Sequence, residues 1–360
     1  MLKQLRSDII LKICFYIFLL NIIGIGALYS SLHKAGMCEY QLFYKQIIMI
    51  IISWIVLIFF SFINYRIYYR GAIFLYIITT ILLIFVDFFG KTVMGAQRWL
   101  YFWGFSFQPS EFAKISAIFI LAKFFSLPKK NDFLKVVIVF ILLGINIFLI
   151  FKQPDLGTSI IVLSLFLFVG FFSGIKRRYF VLLIFVLMIT APFIWNILHE
   201  YQKKRLIVFL NPNLDPLGAG YTIIQSKIAI GSGRLFGKGF LSGTQNQFNF
   251  LPERHTDFIF TVIAEEWGFF GCLVVILLYW LILEKIINVA LLLKDHFAFI
   301  LTLGISILMF LHVIINIGMT AGIFPVVGLP LLFISYGGSH LFVTFFLLGI
   351  FFNICRQHIL

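Results

Sequence analysis

The stretch LPERHTDFIF, residues 251–260, places four titratable or charged side chains directly before an apolar run. They are Glu253, Arg254, His255 and Asp257. A carboxylate such as Asp257 can remove a proton as a general base, and cations beside it can stabilise a developing negative charge. The same carboxylate can instead cap the helix that begins after it. A cap needs only one residue, so the four together favour a site whose reaction the spacing does not identify.

Two further carboxylates, Glu265 and Glu266, follow about two helical turns deeper in the same apolar run. A charged side chain in hydrocarbon costs about 2.5–3.5 kcal/mol even on the milder scale. We therefore expect both to line a polar cavity or to pair with basic groups.

Glu111 and Lys114, in QPSEFAK, stand three residues apart and share one face of a helix, where they can neutralise each other. Pro109 and Ser110 before them are typical of a helix start. The pair either braces that helix start or faces a polar cavity open to the outer leaflet. Both alternatives remain open.

Asp155, in KQPDLGTS, precedes another apolar run and is placed to cap its helix. The Gln-Pro pairs at 108–109 and 153–154 indicate that two helices begin at matched depth around one site.

The glycine-rich sequence GSGRLFGKGF carries the cations Arg234 and Lys238. It does not match the Walker phosphate loop, because only three residues separate Gly233 from Gly237 and because Gly239 follows the lysine. Exposed backbone N–H groups beside two cations would still suit an anionic headgroup. A flexible surface loop with incidental basic residues is the alternative.

Composition shows which elements must position these residues. Of 360 residues, 62% are hydrophobic and 12% charged, whereas soluble proteins have about 45–50% apolar and about 25% charged residues. The sequence therefore predicts an all-α, polytopic integral membrane protein with a single membrane domain, residues 1–360, and one large structured loop outside the membrane, residues 199–257. Ten apolar runs are long enough to span a membrane, for which about 17 to 25 residues suffice: 9–29, 46–64, 72–89, 110–127, 135–152, 157–174, 179–198, 258–283, 297–317 and 337–355.

The distribution of Lys and Arg predicts that both termini are cytoplasmic, because short cytoplasmic loops are enriched in these residues. The short loops on that side contain Lys3, Arg6, Arg66, Arg70, Lys129, Lys130, Lys135, Lys176, Arg177, Arg178, Lys285, Lys294 and Arg356. The short loops on the other side contain Lys34, Lys45, Lys91, Arg98 and Lys152.

The net charge of +14 comes largely from the Lys and Arg residues of the cytoplasmic loops, which lie beside anionic membrane lipid. We therefore expect no nucleic-acid partner. Cys14, Cys272 and Cys355 lie in apolar runs and Cys38 stands alone, a pattern that suggests neither a disulfide framework nor a zinc site.

Several longer motifs follow one another along nearly the whole chain: QPSEFAK, QPDLGTS, FLNPNLDPLGAGYTIIQSKIAIGSG, LFGKGF, GTQ, LPERHTDFIF, AEEWG and ISYGGS. In this order they resemble the SEDS family (shape, elongation, division and sporulation proteins), and most closely its RodA branch. The chain departs from the family pattern around Arg234 and Phe240, where Gly and Trp are more usual. It also departs around SYGGS, where one Pro is missing before the motif and His340 follows it in place of a Ser. Neither departure involves Asp257.

The resemblance implies a peptidoglycan glycosyltransferase of the bacterial inner membrane that polymerises lipid II at the periplasmic face during elongation. It assigns the catalytic aspartate to Asp257 and carries over a substrate-binding role to Arg98, Glu111, Lys114, Asp155 and Arg254. The basic residues Arg234, Lys238 and His255 are further candidates for headgroup contacts. The resemblance also implies a class B penicillin-binding protein, a transpeptidase, and other elongation-complex proteins as partners.

One carboxylate suffices for this reaction because pyrophosphate leaves as a stabilised anion, unlike the alkoxide of a glycosidase. No cofactor is identified, and a divalent cation, Mg²⁺ or Mn²⁺, remains open. The alternatives are a lipid II flippase or other transporter, a division-type (FtsW-like) polymerase, and a scaffold that only recruits the transpeptidase. The concentration of charge at one outer rim favours the enzyme over a carrier.

Overall fold

The computed structural model describes residues 2–34, 37–38, 40–93, 96–102, 105–128, 131–198, 200–218 and 220–358. These ranges form thirteen α-helices. In chain order they are α1 (Leu2–Leu32), α2 (Tyr40–Phe62), α3 (Arg66–Phe89), α4 (Pro109–Phe125), α5 (Asp132–Lys152), α6 (Leu156–Phe172), α7 (Arg177–Ile197), α8 (Glu200–Leu210), α9 (Tyr221–Ser232), α10 (Thr244–Gln247), α11 (Ile259–Leu292), α12 (His296–Thr320) and α13 (Gly338–His358).

The ten predicted spans fall on α1–α7 and α11–α13, and the helices α8–α10 lie in the predicted loop, residues 199–257. By length and composition, seven helices in the described ranges are apolar enough to cross a membrane, and α6 is a shorter apolar helix. The helix α4 has 17 residues and carries Glu111, Lys114 and Lys123. The predicted all-α fold is confirmed, and the chain is a multi-pass membrane protein.

Burial separates inner helices from outer ones. The apolar window of α13 is 83% buried and that of α12 is 67% buried, against 22% for α2 and 28% for α3. Almost every residue of α4 is also buried. Large apolar side chains such as Phe59 and Phe88 are exposed on the outer helices, as expected where lipid rather than water surrounds the bundle. The charged helix α4 is therefore enclosed by other helices.

Two small antiparallel sheets were not predicted. One pairs β1 (His33–Lys34) with β2 (Met37–Cys38), and the other pairs β3 (Lys91–Val93), β4 (Ala96–Phe102) and β5 (Phe105–Phe107) in that order. The second sheet joins α3 to α4 and carries Arg98 on its central strand.

The helix α11 is broken at Gly268, where the backbone has φ 66° and ψ −159°. The break leaves carbonyl groups without helical partners. The backbone N–H of Lys238 donates to Glu265 O at 3.0 Å, and that of Gly239 donates to Glu266 O at 3.0 Å. These two amides of the glycine-rich segment, residues 233–239, therefore supply the hydrogen bonds that the two carbonyl groups of α11 lack at the break.

Backbone N–H groups of α11 also donate to the glycine-rich segment: Phe269 N donates to Arg234 O at 2.9 Å, and Phe270 N donates to Leu235 O at 3.2 Å. With the break satisfied on both sides, α11 continues to Leu292. The helix thus extends past the predicted span of 258–283, because the sequence at 284–292 remains helical beyond the apolar run.

We expect Gly268→Ala to destabilise the protein by about 1–3 kcal/mol, because an L residue is strained at this φ. A Cβ atom would also lie 2.3 Å from Gly237 N. Thermal unfolding in detergent, followed by circular dichroism, measures the effect as a lower midpoint temperature.

The matched control is Gly144→Ala in α5, where an added Cβ meets nothing within 4 Å. It should keep or raise the midpoint, because alanine favours a helix over glycine. Equal midpoints for both variants would show that the break tolerates a side chain.

Candidate functional site

The backbone of Asp257 is held by Asn316 of α12. The Asn316 Nδ2 group donates to Asp257 O at 2.9 Å and to Leu329 O at 2.6 Å. Leu329 belongs to residues 321–337, which connect α12 to α13 and are called here the connecting segment. One amide side chain therefore ties the start of α11 to the connecting segment.

The two residues before Asp257 are held in the same way. The Ser335 hydroxyl donates to Thr256 O at 2.6 Å and accepts a hydrogen bond from Leu331 N at 2.8 Å. Tyr336 N donates to His255 O at 3.0 Å. Three successive carbonyl groups, those of residues 255–257, are thus fixed by α12 and the connecting segment.

The side chain of Asp257 is not used in this scaffold. The residue at the N-cap of α11 is Phe258, and no side chain caps the helix. Within the described ranges, no group donates a hydrogen bond to the Asp257 carboxylate. The capping alternative therefore does not hold for Asp257, and its carboxylate is available for another role.

The surroundings raise the pKa of Asp257 from 3.8 to about 7. Burial is the largest cause, and the negative charge of Glu253 adds to it. Arg205 and Arg98 act in the opposite direction, because each cation favours the ionised carboxylate. A pKa near neutrality is suited to a general base.

Both arginines are anchored by backbone carbonyls. Arg98 Nε donates to Gln153 O at 3.1 Å, and a terminal nitrogen of the same guanidinium donates to Pro154 O. Arg205 donates to Val326 O in the connecting segment at 3.1 Å. The site therefore contains two positioned cations, supplied by β4 and α8.

Asp155 caps α6 as predicted, accepting hydrogen bonds from Thr158 N at 3.2 Å and Thr158 Oγ1 at 3.0 Å. It also accepts from Ser110 Oγ at 3.1 Å and Gln108 Nε2 at 3.2 Å, at the start of α4. The starts of α4 and α6 therefore meet at matched depth. The charge of Asp155 contributes to the raised pKa of Asp257, so the two carboxylates share one region.

Glu111 and Lys114 form the predicted ion pair at 2.7 Å, with side chains 4% and 1% exposed. Lys114 Nζ also lies 3.0 Å from His312 Nε2, and His312 Nδ1 lies 3.2 Å from Pro330 O. The second carboxylate oxygen of Glu111 is buried and has no hydrogen-bond partner in the described part of the chain. The pair is enclosed and lies in a polar layer about one helical turn below Asn316.

Arg234 and Lys238 belong to the break in α11. Lys238 Nζ bonds Glu265 Oε1 at 2.7 Å and Thr244 Oγ1 at 2.9 Å, while Arg234 is exposed. The expectation that Glu265 needs a basic partner is confirmed. The predicted use of the loop amides for an anion is wrong at Lys238 and Gly239, since both amides donate to α11.

Glu266 accepts a hydrogen bond from the Ser30 hydroxyl of α1. Arg254 is 9% exposed, and its Nε donates to Ser31 O at 2.7 Å. His255 lies edge-on to Tyr336, with ring centroids 6.0 Å apart. The charged side chains of LPERHTDFIF therefore contact different elements, and Arg254 hydrogen-bonds the segment to α1.

Three residues around Asp257 were not predicted from the sequence: Arg205, Asn316 and His312. Arg205 follows Lys203 and Lys204, which pair with Glu200 and Asp215, so its contact with the distant connecting segment had no local signal. A polar side chain inside an apolar span was the available signal for Asn316 and His312. In the described ranges, no three His, Cys, Asp or Glu side chains are grouped to hold a metal ion, so the geometry assigns no metal ligands.

We expect Arg205→Gln to raise the pKa of Asp257 above its value of about 7, because it removes a cation that stabilises the carboxylate. Infrared difference spectra of the carboxyl band across a pH series measure this, with Asp257→Asn identifying the band.

Lys204→Gln is the control, since Lys204 pairs with Asp215 at 2.7 Å. It should leave the titration midpoint in place. An unchanged midpoint in Arg205→Gln would show that this arginine does not act on Asp257.

Comparison with known proteins gives consistent matches. The family model for cell cycle proteins of the FtsW/RodA/SpoVE type matches residues 11–359. The chain is 47% identical over 280 residues to peptidoglycan glycosyltransferase MrdB of Escherichia coli, covering 77% of this chain and 76% of that protein. It is 31% identical over 412 residues to peptidoglycan glycosyltransferase RodA of Treponema pallidum, covering 93% and 94%. It is 39% identical over 308 residues to a probable peptidoglycan glycosyltransferase FtsW of Trichlorobacter lovleyi, covering 81% and 77%.

Solved structures resemble the whole fold. A structure described as the structural coordination of polymerization and crosslinking by a peptidoglycan synthase complex aligns with a TM-score of 0.82 and 28% identity over 96% of this chain and 97% of that chain. The Thermus thermophilus rod shape determining protein RodA aligns with a TM-score of 0.71 and 26% identity over 96% of each chain.

Proposed function

Because the chain belongs to the FtsW/RodA/SpoVE family, we propose that it is a peptidoglycan glycosyltransferase that polymerises lipid II with Asp257 as the general base. The observation that carries the proposal is the Asp257 carboxylate itself. The backbone that leads to it is fixed at the three carbonyls of residues 255–257, its side chain is not engaged by the scaffold, and its pKa is about 7. The 47% identity to MrdB and the fold match to a rod shape determining protein over 96% of the chain support an elongation-type enzyme over a division-type one.

In the proposed reaction, Asp257 removes the proton from the 4-hydroxyl group of the acceptor sugar. The hydroxyl oxygen forms a bond to the anomeric carbon of the donor as the bond from that carbon to the pyrophosphate oxygen breaks. The proton stays on the carboxylate, and undecaprenyl pyrophosphate leaves with the electron pair. The fixed backbone holds the base in position, which avoids reorganisation during the reaction.

Arg98 and Arg205 are the cations best placed to offset the charge of the leaving pyrophosphate. Both influence the pKa of Asp257, and both are held by backbone carbonyls of neighbouring segments. Preorganised cations of this kind stabilise developing negative charge without moving. The structure thereby favours Arg98 and Arg205 over Arg234 and Lys238, which lie at the break in α11.

We propose that substrate contacts also involve Glu111, Lys114, Asp155, Arg254 and His255. Asp155 supports the proposal by its place beside Asp257, where it holds the starts of α4 and α6 together. The Glu111–Lys114 pair supports it by its place below the site, where Lys114 contacts His312 of α12. Arg254 and His255 support it by fixing the segment that carries Asp257. In these roles the residues would position Asp257 and the groups that line the site around it.

We further propose that Asp257 and the loop formed by residues 199–257 face the periplasm, with the chain in the inner membrane and both termini in the cytoplasm. The distribution of Lys and Arg supports this orientation. The partner would be a class B penicillin-binding protein, acting with other elongation-complex proteins. The structural match to a complex that coordinates polymerization and crosslinking supports such a partner.

We expect Asp257→Asn to lower the rate of glycan formation from purified lipid II by about 10²- to 10⁴-fold, which is the usual contribution of a general base. Asparagine keeps the side-chain shape but cannot accept the proton. Gel separation of glycan products, formed by the reconstituted chain with and without a transpeptidase, measures the rate.

Asp215→Asn is the matched control, because Asp215 lies in the same loop and pairs with Lys204. It should retain the wild-type rate. A wild-type rate in Asp257→Asn would refute the assigned base. Transfer of lipid II across liposomes without any glycan product would instead favour a flippase, and normal growth of cells carrying Asp257→Asn would favour a scaffold.

The rate of polymerisation should rise with pH through about 7, because Asp257 acts only when deprotonated and its pKa is about 7. Arg205→Gln should move this rise to higher pH. Initial rates across a pH series at saturating lipid II measure both curves, and a rise at the pH typical of an ordinary carboxyl would contradict the proposed role of burial.

A further inference from the structure

A cavity of about 450 Å³ lies at the end of the bundle opposite Asp257, where α3 and α12 begin and α4 ends. We call it the basal pocket. Six of its lining residues matter here: Arg66, Tyr69, Arg70, Ser126, Asp295 and Phe297. None of them has a role in the proposed reaction.

Positive charge predominates around the basal pocket. Arg66 and Arg70 are exposed and stand four residues apart on one face of α3. Lys123 adds a third cation, with its ammonium 5.3 Å above the ring of Tyr69. No carboxylate in the described ranges forms an ion pair with any of these three cations. With three cations against Asp295 among the described residues, the pocket has a net positive charge that an anion can balance.

The one acid in the lining, Asp295, is already engaged. Its carboxylate accepts hydrogen bonds from Phe297 N at 2.9 Å, as the N-cap of α12, and from Tyr65 Oη at 2.6 Å. His358 Nε2 also lies 3.9 Å from it. Asp295 thus stabilises the start of α12. Its charge also acts on Arg66, whose Nε donates to Tyr65 Oη at 3.3 Å, while Arg70 has no such contact in the described part of the chain and is left to an external ligand.

An apolar stripe continues from the arginines along α3. Phe74, Ile77 and Ile81 follow Arg70 at spacings that place them on the same face, and they are 66%, 48% and 47% exposed. In a membrane this face contacts acyl chains. A molecule that combines a phosphate with acyl chains therefore fits both the charged and the apolar parts.

We propose that the basal pocket binds an anionic phospholipid such as phosphatidylglycerol, with the phosphate at Arg66 and Arg70 and an acyl chain along Phe74, Ile77 and Ile81. The guanidinium group suits this role because it forms paired hydrogen bonds to phosphate oxygens. Basic pockets between membrane helices bind lipid headgroups in this way. Free phosphate shares the headgroup chemistry but makes no use of the apolar stripe.

Native mass spectrometry of the full chain in detergent, titrated with phosphatidylglycerol or phosphatidylcholine, tests the proposal. The wild-type chain should retain phosphatidylglycerol in preference to phosphatidylcholine. Arg70→Gln should weaken that retention about fivefold, since one basic residue near a lipid surface contributes about that much. Ser126→Asp should weaken it as well, because it adds a negative charge to the pocket and removes no cation.

The matched control is Arg178→Gln at the same end of the bundle, where the guanidinium lies 5.0 Å from the ring of Tyr179. It loses the same charge outside the basal pocket and should retain phosphatidylglycerol as the wild type does. Equal retention by wild type, Arg70→Gln and Ser126→Asp would overturn the proposal.

Addition of inorganic phosphate separates the two sources of the anion. Retention of phosphatidylglycerol should persist in excess phosphate, because the acyl chain contributes to binding. Displacement of the lipid by inorganic phosphate would overturn the lipid assignment. The thermal unfolding midpoint of each variant, measured in the same detergent, should stay within a few degrees of wild type. If Arg70→Gln unfolds at a much lower temperature, lipid retention by Ser126→Asp is the test of the proposal.

Discussion

The site depends on the anchoring of three successive carbonyl groups, those of His255, Thr256 and Asp257. Asn316, Ser335 and the backbone of Tyr336 supply the donors. Because the donors come from α12 and the connecting segment, the anchoring joins elements that are about sixty or more residues away in the chain. Backbone held in this way leaves the carboxylate of Asp257 outside the hydrogen bonds of the scaffold, which is the arrangement that the proposed proton transfer requires.

Charge placement follows from the same anchoring. The connecting segment that holds Asp257 also accepts the hydrogen bond of Arg205, through Val326 O. Its Pro330 carbonyl contacts His312, which in turn contacts Lys114. A single irregular segment therefore connects Asp257, a cation near it and the buried ion pair below it. Irregular backbone at such a depth is tolerated where protein encloses it.

The sequence predicted the ten long helices well, because long apolar runs have few alternatives to helices in a membrane. It also identified Asp155 as a cap and Glu111–Lys114 as an ion pair, since both depend on residues close in sequence. It could not assign Arg205, because the partner of that side chain is a carbonyl in a distant segment. The roles of the amides at Lys238 and Gly239 were missed for the same reason, since Gly268 creates the need for them only once α11 has folded.

The break at Gly268 has a mechanical consequence for a protein in a bilayer. A long helix adjusts to changes in membrane thickness by tilting, and a kink is where such a helix bends. Because the glycine-rich segment bonds residues on both sides of Gly268, a bend there would change the angle between the two parts of α11 without separating them. The carbonyls of residues 255–257 are bonded to α12 and the connecting segment, so Asp257 would keep its place while the longer part of α11 tilts with the bilayer.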